Sequence, residues 1–229
     1  MSKNKSAPVK TECTRCGTCC RKGGPALHLD DKWLIEQGYI PSKHLYTIRN
    51  NEPSYDNVQG CLIPATSDII KIKGLNRSRT CCFFSVTKNE CEIYDFRPLE
   101  CRVLKCWDTR DIEKMYSLDR LTRKDLVSNV KGLWELIEDH QRRCSYGQLK
   151  HLVDDLHGDQ KAKALEKTLE MIAYDTGIRQ LVAQKGGLDP ELTDFLFGRP
   201  LVDTIGMYGF KVEMIGGRYS LTPIKTSRY

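Results

Sequence analysis

Four cysteines fall within eight residues near the start of the chain. Cys13, Cys16, Cys19 and Cys20 form a C-x-x-C-x-x-C-C run. A C-x-x-C turn can aim two thiolates at one metal, and backbone amides can hydrogen-bond to the sulfurs; Gly17 suits so tight a turn, because glycine tolerates positive φ. Two overlapping steps of this kind are poor material for a packed core and good material for holding a soft metal. Arg15, Arg21 and Lys22 would offset the charge of several thiolates. A second group follows at Cys81, Cys82, Cys91, Cys101 and Cys106. Cys61 and Cys144 stand outside both groups, and each reads as an ordinary small apolar residue.

The compartment sharpens that chemistry. A chain of 229 residues with 40% hydrophobic and 29% charged residues can bury a core without disulfide staples. The first ten residues, MSKNKSAPVK, lack the apolar stretch of a secretion signal, and no run approaches the roughly 18 apolar residues of a membrane span. The expected location is cytoplasmic. In a reducing compartment clustered cysteines bind metal or do redox chemistry. An odd total of 11 also fits a pure disulfide framework poorly. The net charge of +6 argues neither for nor against nucleic acid. No dinucleotide or P-loop motif is present, and the radical-SAM spacing C-x-x-x-C-x-x-C fails, since three residues beyond Cys20 lies Gly23.

The two cysteine groups, in this order, resemble the YkgJ-type CxxCxxCC family, described as zinc- or iron-chelating. The resemblance rests on the N-terminal run, on Cys81-Cys82-Phe83-Phe84, and on the stretch from Cys91-Glu92-Ile93-Tyr94 through Arg97-Pro98 to Cys101-Arg102. It covers about residues 12 to 107. On alignment Cys81 takes the family cysteine, Cys82 falls where another residue is usual, and Cys106 matches a cysteine of only some members. The resemblance implies an iron–sulfur or zinc centre and often carries the label of an iron–sulfur oxidoreductase, which is the sole ground for reading an enzyme here. Eight thiols become the candidate ligands: Cys13, Cys16, Cys19, Cys20, Cys81, Cys91, Cys101 and Cys106. Eight are two sets of four, or one set with spare thiols. An iron–sulfur cluster of the 4Fe–4S type is the preferred cofactor, with Zn2+ as the alternative.

These thiols need elements to hold them. The expected fold class is α+β, with a small irregular cysteine-rich part over 11–109 followed by a mainly helical part over 110–229 that ends in a β-hairpin; the two can form one continuous domain. In the first part Ala26–Leu29, Leu45–Arg49 and Ile69–Ile72 read as short strands. Asp30 is placed to cap a helix through Trp33, Leu34 and Ile35, Cys82–Val86 and Cys91–Tyr94 could pair as a hairpin, and Pro98 opens a helix carrying Cys101. In the second part Leu126, Val127, Val130, Leu133, Trp134 and Ile137 recur at helical spacing. Ser145 caps a further helix, Leu165 to Ile178 forms another, and Asp189-Pro190 starts a third. Gly216-Gly217 joins two alternating strands.

The remaining polar residues read mostly as structure. Arg97 could donate to a cluster sulfur or an anion, but a turn role beside Tyr94 is the plainer reading. None of the five histidines is placed at ligand spacing to a cysteine, and His28 is the best candidate for an added partner. Arg120, Arg123, Lys124, Arg142 and Arg143 read as a solvated helix face, not a nucleic-acid patch. Three functions follow: a redox protein with an iron–sulfur centre and an unknown redox or protein partner, a zinc-stapled binding module, or a protein of metal storage and delivery. No acid–base pair or nucleophile triad supports a substrate.

Overall fold

The computed structural model describes residues 11–224, so the reading of the first ten residues lies outside the described residues. The cysteine-rich part is built from short pieces. Helix α1 (Thr18–Lys22) and α2 (Lys32–Glu36) precede strands β1 (Leu45–Ile48), β2 (Pro53–Asp56), β3 (Cys61–Pro64) and β4 (Ile69–Ile72). Strands β5 (Phe84–Ser85) and β6 (Glu90–Cys91) lead to α3 (Leu99–Val103). These strands pair as two-stranded antiparallel sheets, β1-β4, β2-β3 and β5-β6. The second part is helical: α4 (Arg110–Met115), α5 (Arg123–Val127), α6 (Leu133–Arg143), α7 (Tyr146–Asp155), α8 (Lys161–Gln184), α9 (Thr193–Phe197) and α10 (Leu201–Thr204). The hairpin β7 (Phe210–Ile215) and β8 (Arg218–Pro223) closes it. The fold is therefore α+β, as the sequence pattern predicts.

Local chemistry explains most of these elements. β1 and β4 are apolar and pair Leu45 with Ile72 through Ile48 with Ile69. Ser145 caps α7 by accepting the Gln148 amide, and Asp189 accepts the Glu191 amide ahead of Pro190. Gly216 and Gly217 both have positive φ, as a two-residue hairpin turn requires. Along α8 the buried positions Ala164, Thr168, Met171, Ile172, Asp175, Arg179 and Val182 recur at helical spacing.

Four expectations change. The apolar spacing from Leu126 to Ile137 is not one helix: α5 stops at Val127, and Gly132 at φ 81° restarts the chain as α6. The strand at Ala26–Leu29 reduces to single bridges from Ala26 to Lys71 and from His28 to Arg120. Asp31, not Asp30, organises the turn before α2, accepting the amides of His28 and Leu99. Arg123 is buried and ion-paired with Asp68 at 2.6 Å, and Arg120 donates to the Tyr116 carbonyl, so neither belongs to a solvated face. Lys124, Arg142 and Arg143 remain exposed.

The two parts share a core. One cluster draws Leu27, Leu45, Ile70 and Phe84 from the first part and Ile137, Val182 and Phe197 from the second. Polar groups are buried at its centre, around the end of α9. A helix end leaves carbonyls without intrahelical partners, and burying them unpaired costs about 1–3 kcal/mol each. Here Thr47 Oγ1 donates to the Phe195 carbonyl at 2.7 Å, Arg123 to Leu196 at 2.7 Å, and Arg179 to Phe197 and Gly198 at 3.3 and 2.9 Å. Gly198 has φ 76°, and a Cβ there would lie 2.7 Å from the Arg49 side chain. Arg49, fully buried, donates to the Cys144 carbonyl at 2.9 Å and stacks on Tyr146. Among the described residues, no helix is long and apolar enough to cross a membrane.

Arg123→Ala would leave Asp68 and the Leu196 carbonyl unpaired. Denaturant unfolding should show a loss of about 3–5 kcal/mol, the scale of breaking a buried ion pair from one side. A loss below 1 kcal/mol would show that the pair does not carry the joint between the parts.

A second prediction concerns acid. Burial pushes His140 down to about 4, against the hydrogen bond it makes to Asp175 at 2.7 Å. The unfolded chain therefore binds the extra proton first. Stability is fully present above the ordinary histidine value and is lost as pH falls from about 6.5 towards 4. This residue alone should cost about 2 kcal/mol between pH 7 and pH 5. His140→Gln should flatten that part of the profile in urea titrations; an unchanged slope would contradict it.

Candidate metal centre

Three backbone devices bring the cysteine groups together. The first is Gly17 at φ 71°, just before α1, where a Cβ would lie 2.3 Å from the Phe84 ring. Phe84 thus packs directly on the turn that separates Cys16 from Cys19. Arg21 lies over the same ring, donates to the Cys16 carbonyl at 3.1 Å and reaches Asn89 at 2.6 Å. The second is a backbone hydrogen bond from the Cys81 amide to the Cys20 carbonyl, 2.8 Å long. It joins the two motifs across sixty residues of intervening chain. The third is the β5–β6 pair, in which Phe84 faces Cys91.

Cys101 is held from below. Pro98 precedes α3, and Cys101 lies in its first turns. Asp31 accepts the Leu99 amide at 2.8 Å, and Glu100 accepts the Ala26 amide at 2.8 Å. His28 is buried, its Nδ1 against the Leu118 carbonyl at 2.7 Å and its Nε2 3.5 Å from Glu100. Burial opposes its charge, but Glu100 and the Leu118 carbonyl hold its pKa above the ordinary histidine value. His28 thus packs against the helix that carries Cys101.

Five thiols converge: Cys19, Cys20, Cys81, Cys91 and Cys101 act on one another electrostatically. Hydrogen bonding from Cys20 lowers Cys19 to about 6, with the charge of Arg97 contributing, while the same contact raises Cys20. Cys81 is raised chiefly by hydrogen bonding with Cys82, and burial raises Cys91 and Cys101. Positive charge borders the group. Arg97 donates to the Tyr94 carbonyl at 2.8 Å and lies 3.6 Å over the Tyr94 ring, with Arg15 at 3.9 Å on the same ring. Arg15 itself has φ 54°, and its amide is 3.4 Å from the Cys13 sulfur. Arg97 thus combines the turn role and the charge role that the sequence left as alternatives.

The other candidates are not among these five. Cys13 and Cys16 are exposed, Cys16 with its sulfur 3.2 Å from the Thr18 hydroxyl, and Cys106 is exposed in the turn bridged by Lys105 and Asp108. Cys82, set aside on sequence grounds, sits beside Cys81. Cys61 is exposed on β3 opposite Asp56.

Sequence reasoning passed over one cluster. His140, Cys144 and Asp175 are fully buried, with ligand atoms within 4.8 Å of one another. The i, i+4 spacing of His140, on α6, and Cys144, which ends that helix, was the available signal. This is no evident cation site. Asp175 already accepts from His140, from Arg179 and from the Leu201 amide, and the charges of Arg49 and Arg179 both bear on Cys144. Burial raises that thiol to about 12. Burial alone would raise Asp175 as well, but His140 and Arg179 hold it at about 2. Among the described residues, no three thiols lie within the same 4.8 Å of one another.

No curated protein and no solved structure matches the chain. A family model does match, over residues 12–123, and that stretch holds every thiol of the pocket together with the segments that seat them. The chain thus carries a domain of the CxxCxxCC family, described as a "Putative zinc- or iron-chelating domain".

Proposed function

We propose that this protein holds an iron–sulfur centre in its thiol pocket and passes electrons to a protein partner. The observation that supports this reading is the convergence of five thiols, Cys19, Cys20, Cys81, Cys91 and Cys101, which bear on one another electrostatically. The all-sulfur donor set suits iron–sulfur chemistry. Such a centre, when bound, supplies one-electron transfer. The chain's own part is to present Cys19, Cys20, Cys81, Cys91 and Cys101 on short rigid pieces, with Arg97 offsetting their charge. Cys13, Cys16 and Cys106, all exposed, complete the candidate set.

Zinc is the second reading, and one observation favours it. The cysteine-rich part has α-helices of five residues and strands of four or fewer. Pieces this short gain much from a structural metal, worth on the order of 10 kcal/mol in small domains.

Anaerobic purification should give a brown protein with iron and acid-labile sulfide in equal amounts. Stoichiometric zinc in a colourless protein would overturn the iron–sulfur reading and support the second. Cys101→Ser should lose most of the bound metal, with far-UV circular dichroism of the helical part retained. Full metal retention would remove Cys101 from the ligand set.

A further inference from the structure

Two arginines of the N-terminal run reach across to the second cysteine group, and each holds one half of the run. Arg21 secures the half in α1: it lies 4.7 Å over the Phe84 ring and donates to the Asn89 side chain at 2.6 Å. Arg15 secures the half that carries Cys13 and Cys16. Its guanidinium carbon is 3.9 Å from the centre of the Tyr94 ring, and that of Arg97 is 3.6 Å from the same point. Two like charges so close to one ring centre cannot share a face, so the ring is clamped between them. One side of the clamp is fixed locally, because Arg97 Nε donates to the Tyr94 carbonyl at 2.8 Å. The other side crosses between the two motifs. Arg15 is held at φ 54°, a left-handed conformation that disfavours a side chain, with its amide 3.4 Å from the Cys13 sulfur. The stack on Tyr94 offsets that local cost. Cys13 and Cys16, on either side of Arg15 in the chain, are exposed, whereas Cys91 and Cys101, on either side of Tyr94, are half-buried.

We infer that Tyr94 is a positioning residue for the metal centre: clamped between Arg97 and Arg15, its ring keeps the Cys13–Cys16 turn closed on the pocket and so keeps those two exposed thiols in the ligand set. This role rests on the thiol pocket holding a metal, as proposed above, and is the same for an iron–sulfur centre and for zinc. A sulfur engaged by a metal is unavailable to an alkylating reagent, so its labelling must wait for local opening. Removing the ring takes away the contact on which the turn closes. Phenylalanine keeps the π face and loses only the hydroxyl, so it keeps the clamp.

The test uses the full chain, purified anaerobically with its metal, as wild type, Tyr94→Leu and Tyr94→Phe. Iron and zinc per chain are measured first. Each protein is then treated with iodoacetamide, and alkylation of each cysteine is followed over time by mass spectrometry. In wild type, Cys13 and Cys16 should be protected although their side chains are exposed. In Tyr94→Leu their labelling should be about threefold to tenfold faster, the scale of one cation–π contact, while Cys91 and Cys101 stay as protected as in wild type. Tyr94→Phe should label at the wild-type rate. If Tyr94→Leu does not retain metal, Arg15→Gln removes the same contact from the exposed side and carries the same expectation. Rapid labelling of Cys13 and Cys16 in metal-loaded wild type would overturn the role of Tyr94, since it would place them outside the ligand set. Unchanged protection in Tyr94→Leu, or faster labelling in Tyr94→Phe, would overturn it as well. Faster labelling of all the thiols together would do the same and leave Tyr94 an ordinary support of the pocket. Zinc with no iron would sink the iron–sulfur reading and not the clamp, which the labelling rates decide by themselves.

Discussion

The end of α9 is the constraint on which the structure depends. Its carbonyls are buried between the two parts of the chain, where water cannot satisfy them. Thr47 from β1, Arg123 from α5 and Arg179 from α8 supply the donors. Each guanidinium brings a charge that must itself be paired, so Asp68 and Asp175 are drawn into the same interior. A buried helix end thus commits residues from three other elements to one place. The cysteine-rich part gains a fixed floor from this arrangement, because β1 and β4 are anchored against α9.

The thiol pocket is built above that floor by a different kind of contact. Its walls are short, and backbone hydrogen bonds do most of the joining. The Cys81 amide closes on the Cys20 carbonyl, and Asp31 and Glu100 take the amides of Leu99 and Ala26. Both acids thereby anchor α3, and His28, with its Nε2 3.5 Å from Glu100, packs against the same helix.

Electrostatics follow the same layout. Several thiolates in one pocket repel one another, and the pocket is bordered by Arg97 and Arg15 stacked on Tyr94. Stacking fixes where the guanidiniums lie at little cost in side-chain freedom. The second polar cluster, around His140 and Asp175, shows the opposite balance. Its positive charge exceeds its negative charge, its thiol is held protonated, and its role is to join helices.

The cysteine spacing, the arginine–proline stretch and the apolar periodicities were legible in the chain itself, because they are local. A C-x-x-C turn, a Gly-Gly hairpin and a proline at the start of a helix all act within a few residues. The class of the fold and the soft character of the site followed from them. The single chain could not say which thiols meet. Cys19 and Cys101 are neighbours only because distant amides, acids and aromatic rings close the loops between them. Nor could residue type tell that Arg123 is buried, since its carboxylate and its carbonyl come from segments 55 and 73 residues away. The break at Gly132 was hidden for a related reason, as the apolar positions on either side face one core from two helices. Sequence determined the donors and their chemistry; the tertiary structure decided their company, because long-range hydrogen bonds and burial have no local signature.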